Sequence, residues 1–189
     1  MIDFFPFICL ISYLAAIRSM ELGIAKSNEN WMKQRGGVEF GASHYRVMVL
    51  MHMLFFVAFI LEKIGLNQGL SPIWPVILFS FVLVQFLRVW VIVSLGRYWN
   101  TKIIVLPNAK VIMKGPYRFL RHPNYCVVSL ELLVIPLLFS SYITAILFTL
   151  LNILMLRVRI PEEERALRSL TEYEGIFQEH NRFIPKYVK

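Results

Sequence analysis

YCVVSLELLVIPLLFSSYITAILFTLLNILMLRV (residues 125–158) reads as two apolar runs, 125–139 and 142–158, hinged at the turn SSY. A bilayer core of ~30 Å takes about 20 helical residues, with ~17–25 tolerated. The pair is therefore expected to be a helical hairpin in a membrane. Its first arm is short and carries Pro136, which predicts a kinked or incompletely spanning helix. Working outward, three more apolar runs precede the hairpin, at about 4–20, 47–64 and 73–95. The chain as a whole is 57% hydrophobic, with 15 Phe and 8 Met. A soluble domain averages roughly 45–50% apolar. The expected fold is an all-α integral membrane protein of about five transmembrane helices, folded as one structural domain. Its first region, 1–95, holds three spans.

The formal charge of +8 has a membrane explanation. Lys26, Lys33, Arg35 and Arg46 fall between spans one and two, whereas Lys63 stands alone between two and three. Arg97, Lys102, Lys110, Lys114, Arg118 and Arg121 lie between three and four, and the SSY turn has no cation. Further arginines and lysines follow span five. This alternation predicts an N-terminus outside and a C-terminus in the cytoplasm. It leaves nucleic-acid binding without a supporting motif. Cys9 and Cys126 lie in apolar runs with neither a CxxC partner nor a His at ligand spacing, which argues against a disulfide framework or a zinc site. MIDFFPF has an acid and no cation before its apolar run, so the first span is read as retained rather than cleaved.

Three polar constellations stand against the spans. GPYRFLRHPNY (115–125) places Tyr117, Arg118, Arg121, His122, Asn124 and Tyr125 at the membrane boundary. Pro116 and Pro123 stiffen it, and His122 before Pro123 is biased towards an extended backbone. An interfacial belt of Tyr and Arg explains the composition, but not the His or the prolines. RVRIPEEERAL (157–167) ends span five. Pro161 there interrupts the helix or opens a new one with an acidic first turn. If helix persists, Arg159 and Glu163 share a face. Gln85 and Arg88 sit within span three. Arg88 either snorkels to the surface or faces the bundle interior, where an ionisable residue marks function. Between these elements, LGRYWNTKIIVLPNAKVIMKG (95–115) reads as a β-like or irregular flap, and GGVEFG (36–41) follows no strand and is not a dinucleotide loop. Leu170, Tyr173, Ile176 and Phe177 recur at helical spacing, predicting a C-terminal amphipathic helix.

GPYRFLRHPNY, then two apolar spans, then RIPEEERAL resembles the isoprenylcysteine carboxyl methyltransferase family over about 96–189, which this likeness makes a methyltransferase core. Within the family the chain looks most like small bacterial members that O-methylate alkylpyrones. The resemblance implies an S-adenosylmethionine-dependent O-methyltransferase of the bacterial cell membrane, acting on a lipophilic or prenylated acceptor. It implies a cofactor site in the cytoplasmic loops made by Tyr117, His122, Pro123, Asn124 and Tyr125, with backbone contacts from Lys110, Val111 and Ile112. Glu163 matches the family's cofactor-binding acid, Glu164 its neighbour, and Arg159 the arginine that contacts the acceptor. Pro161 and the additional Glu162 depart from the pattern and leave the choice among the three acids open by one position. Two other classes compete: NADPH-dependent sterol or steroid reductases, which carry a similar RHPNY-like loop, and a non-enzymatic membrane scaffold.

Overall fold

The computed structural model describes residues 3–173. Its five long elements are α1 (Phe4–Lys33), α2 (Ala42–Gly65), α3 (Trp74–Leu95), α4 (Pro123–Leu137) and α5 (Tyr142–Leu170). The helices containing α1, α2, α3 and α5 are each long and apolar enough to cross a membrane. α4 has 15 residues and is too short to do so at full thickness. These five helices are the five expected spans, and the protein is a multi-pass integral membrane protein. α4 packs between α3 and α5, and α5 also packs on α2.

Each apolar run becomes helix because a bilayer offers the backbone no hydrogen-bonding partner but itself. At the hairpin tip, Pro136 lies in the last turn of α4, and the chain reverses through Ser140 at φ 53. The orphan N–H groups opening α5 are capped from another helix: Glu62 of α2 accepts from the amides of Ile143 (3.0 Å) and Thr144 (2.7 Å) and from the Thr144 hydroxyl (2.6 Å). Below this tip, edge-to-face Phe7, Phe59 and Phe139 fill the centre of the bundle.

One expectation needs correcting, and two open alternatives are settled. The first helix does not stop near Met20 but continues to Lys33. Pro161 neither breaks α5 nor starts a new helix, since α5 runs unbroken to Leu170. A proline there removes one N–H and leaves the Arg157 carbonyl without its helical donor, but contacts before it at Arg159 and beyond it at Ala166, Leu167 and Leu170 hold the helix in place. Thus Arg159 and Glu163 do share a helical face. Arg88 does not snorkel: it is buried and bound to carboxylates on two other helices. The expected C-terminal amphipathic helix falls mostly on Ile176, Phe177 and their neighbours, outside the described residues.

The flap contains short strands as well as loops. β1 (Val38–Phe40) and β2 (Ile103–Val105) pair antiparallel, Glu39 opposite Ile104. GGVEFG is therefore the edge of a ribbon. Ile103 and Val105 pack on Ala166, Leu167 and Leu170 near the end of α5. Asn108 N donates to Leu170 O (2.8 Å), closing the flap on the same helix end.

Charges tie the ribbon to α1. Lys33 and Lys102 bind both Glu29 and Glu39. Lys33 first, and then Lys102, hold the Glu39 carboxyl below the usual carboxylate range, and Glu29 and Glu39 raise Lys102 in turn. A depressed carboxylate stabilises the fold fully above its ordinary value of 4.5 and loses that contribution as pH falls through the lowered one. Amide exchange in β1 is expected to quicken, relative to the helices, as pH falls below that value once the intrinsic rate is divided out. Equal protection of the ribbon across this range would refute the linkage.

Candidate functional site

Where the flap, the GPYRFLRHPNY loop and the end of α5 meet, they enclose a cavity with about 980 Å³ of atom-free space, its open mouth included. The loop is held there from below. Its first residue, Gly115, has φ +52 and lies against Ser94 and Trp90 of α3, so closely that a Cβ would fall 2.2 Å from Ser94 Oγ. A turn of 3-10 helix, Gly115–Arg118, then buries Tyr117 among Val84, Val91 and Val127. Burial, and then the Glu163 charge, push the Tyr117 phenol well above its usual range, so it remains a neutral aromatic wall. Pro123 occupies the first turn of α4, where its missing N–H costs nothing.

Unbroken α5 brings the acids to this loop. Glu163 lines the cavity. The Tyr125 hydroxyl donates to Glu163 Oε2 and accepts from Arg159 Nε at 3.0 Å. Arg159 is buried, and its Nη2 donates to the Thr101 carbonyl of the flap. Tyr125 thus stands between the cation and the acid on one helical face. His122 stacks on Tyr125, ring centroids 5.5 Å apart, and its Nε2 donates to Glu164 Oε1 at 3.1 Å. Glu162 turns the other way and pairs with Arg165 (2.8 Å). The three adjacent acids therefore have three separate partners, which removes the repulsion their sequence implies.

Of the residues singled out in the sequence, Lys110, Val111, Ile112, Tyr117, His122, Asn124, Tyr125 and Glu163 line the cavity. Pro123, Glu164 and Arg159 do not; Glu164 backs His122, and Arg159 backs Tyr125. Sequence reasoning missed Trp99, Asn100, Lys102 and Met32, which also line it. Only tertiary contact reveals Met32, because it lies on the part of α1 that continues past the apolar run. Trp99 offered a signal in RYWN, an aromatic beside an amide within a basic loop.

The second polar cluster lies deeper, among the spans. Arg88 of α3 binds Glu21 of α1 through Nε and Nη2 and Glu131 of α4 through Nη1 (2.6 Å). Arg18 bridges the same acids, at 2.8 Å to Glu21 and 2.6 Å to Glu131, and Gln85 donates to Glu131 at 2.9 Å. Two cations meet two anions, so the cluster is electrically closed. Glu131 is an acid in the middle of span four, and that signal was available in the sequence.

The model of the isoprenylcysteine carboxyl methyltransferase family matches residues 76–169, from α3 almost to the end of α5. The match takes in the loop, the hairpin and the acids together. The chain belongs to the isoprenylcysteine carboxyl methyltransferase family. It is also similar to the uncharacterised protein YpbQ of Bacillus subtilis (strain 168), 45% identical over 159 residues that cover 84% of this chain and 95% of that protein. An uncharacterised protein of Haemophilus influenzae is 27% identical over 165 residues, covering 87% of this chain and 94% of that one. Membership in this methyltransferase family implies a membrane methyltransferase. The family match begins in α3, yet Met32 of α1 lines the same cavity as the matched motif residues.

Proposed function

We propose that the protein transfers a methyl group from S-adenosylmethionine to an oxygen of a lipophilic acceptor, at the cytoplasmic face of the bacterial cell membrane. The observation that carries this reading is Glu163: a carboxylate at the wall of a cavity shared with the neutral aromatic rings of Tyr117, Trp99 and Tyr125. This chemistry fits a ligand bearing an ammonium and a sulfonium. A carboxylate pairs with the first, and aromatic faces attract the second with about 0.5–2 kcal/mol each.

When bound, the cofactor would supply an electrophilic methyl carbon on a good leaving group, a neutral thioether once the methyl has gone to the acceptor oxygen. The chain's own residues then have mainly to bind and align. Glu163, the 110–112 segment, His122, Asn124 and Tyr125 would hold the cofactor. Glu164 keeps the His122 imidazole oriented, and Tyr125 keeps one Glu163 oxygen in place. Arg159, behind the Tyr125 ring, would lend the site positive charge without touching the acceptor, whose oxygen is anionic near neutral pH, as a carboxylate or the enolate of an alkylpyrone is. Such an oxygen needs no strong general base. A site at the junction of polar loops and apolar helices serves a water-soluble donor and a greasy acceptor at once.

Glu163→Gln retains an acceptor for the Tyr125 hydroxyl and removes only the charge. It is expected to weaken S-adenosylhomocysteine binding ten- to a hundredfold, since hydrogen bonds to charged groups contribute about 1.5–3 kcal/mol. His122→Ala is expected to weaken it less, with the protein still inserted in both cases. Calorimetry reads the affinities. Unchanged affinity in both variants refutes the assignment, and a melting temperature raised by NADPH instead of S-adenosylhomocysteine turns it towards a reductase.

A further inference from the structure

We infer that Asn28, on a helix that carries none of the family's motif residues, positions the wall of the cofactor cavity through Trp99. The inference rests on the function proposed above and adds a residue to its site. Glu21 and Asn28 of α1 are seven residues apart, as are Asn124 and Glu131 of α4. Residues at i and i+7 share a helix face, about 10 Å apart along the axis. The two helices are therefore linked at two polar levels, directly through Arg18 and Glu131 at the deeper one and through Trp99 at the upper one. The deeper one is the closed cluster of Glu21, Arg18, Arg88 and Glu131.

The upper level is a chain of hydrogen bonds behind the cavity. Asn28 Nδ2 donates to the carbonyls of Trp99 (2.7 Å) and Gly96 (3.2 Å). Trp99 Nε1 donates in turn to Asn124 Oδ1 (3.3 Å), at the start of α4. Trp99 and Asn124 both line the cavity, and Asn28 does not. Asn28 and Trp99 are only 4% and 2% exposed, so water does not stand in for a lost partner. Gly96 reverses the chain at the end of α3 with φ 56, and its carbonyl accepts from the Trp99 amide (3.1 Å) as well as from Asn28. A side-chain amide supplies two donors in a neutral group, one for the Trp99 carbonyl and one shared with the Gly96 carbonyl; aspartate supplies none. The deep ion cluster sets the register of α1 against α4, and Asn28 converts that register into the placement of the Trp99 ring.

The test measures S-adenosylhomocysteine affinity of the full-length protein by calorimetry, well below the melting temperature. Asn28→Leu is expected to weaken binding about tenfold. Trp99→Phe keeps a ring but cuts the bond to Asn124, and it is expected to weaken binding severalfold without endangering the fold. The double variant is expected to bind no more weakly than Asn28→Leu, because both changes cut one chain. A purely structural role would lower the melting temperature and leave affinity unmoved. Binding within twofold of native in Asn28→Leu overturns the inference, as does a double variant whose loss is the product of the two single losses. If the native protein binds no S-adenosylhomocysteine, the proposed function fails and this inference with it. If it binds and both single variants bind equally well, only this inference fails.

Discussion

Glu131→Leu is expected to destabilise the folded protein by about 3–5 kcal/mol, the usual loss when one member of a buried ion cluster is removed. Glu131 is 2% exposed and accepts from Arg18, Arg88 and Gln85. Without it, two guanidinium groups share the single carboxylate of Glu21, and the interior of the bundle carries a net positive charge. The shape of the replacement is not the problem, because leucine suits the apolar surroundings. The uncompensated charge is. The double variant Arg88→Leu with Glu131→Leu restores balance by leaving the Arg18–Glu21 pair, which are 2.8 Å apart. It is expected to be more stable than Glu131→Leu alone, although it changes one more residue. Thermal unfolding in detergent decides this. A double variant that melts below the single one would show that these side chains act by shape and individual hydrogen bonds rather than by charge balance.

Gly115→Ala is expected to empty the proposed cofactor site while leaving the helices inserted. Two costs coincide. A residue with a side chain at φ +52 pays about 1–2 kcal/mol for the left-handed backbone. Its Cβ would also lie 2.2 Å from Ser94 Oγ and 2.7 Å from Trp90 Nε1, far inside contact distance. Either the loop lifts from α3 or α3 gives way, and the loop is the softer of the two. Lifting it withdraws Tyr117 from Val84, Val91 and Val127 and shifts His122 relative to Glu164. S-adenosylhomocysteine affinity is expected to fall more than tenfold. Ser94→Gly in the same background removes the closer obstacle and is expected to recover part of the loss. Affinity unchanged in Gly115→Ala would mean that the loop's seat on α3 is irrelevant to the cavity.

Reading the chain residue by residue recovers the helices of the bundle well, because in a membrane hydropathy and backbone satisfaction point to the same answer. It recovers the cavity unevenly. Tyr117, His122, Asn124, Tyr125 and Glu163 stand in two compact motifs, and they meet as those motifs suggest. The places where it failed share one cause. Past Met20, α1 is polar and looks like loop, yet it stays helical because Glu21, Asn28 and Glu29 find partners on other elements. Pro161 looks like a break, yet α5 continues because residues before and beyond it, from Arg159 to Leu170, find partners in the flap and the 122–125 segment. Arg88 looks free to reach the surface, yet two acids from other helices hold it inside.

Alone, then, the sequence determined where the chain lies in a membrane, which ends of its helices gather the polar loops, and which motif residues belong together. These follow from local quantities: transfer of apolar side chains, intrahelical hydrogen bonding and spacing along one helix. Tertiary structure alone decided how far α1 extends, which of three adjacent carboxylates faces the cavity, and that Arg18, Glu21, Arg88 and Glu131 close on one another. Each of these depends on a partner distant in the chain. A polar group's free energy in a low-dielectric interior is set by whether that partner arrives, and no local pattern records its arrival.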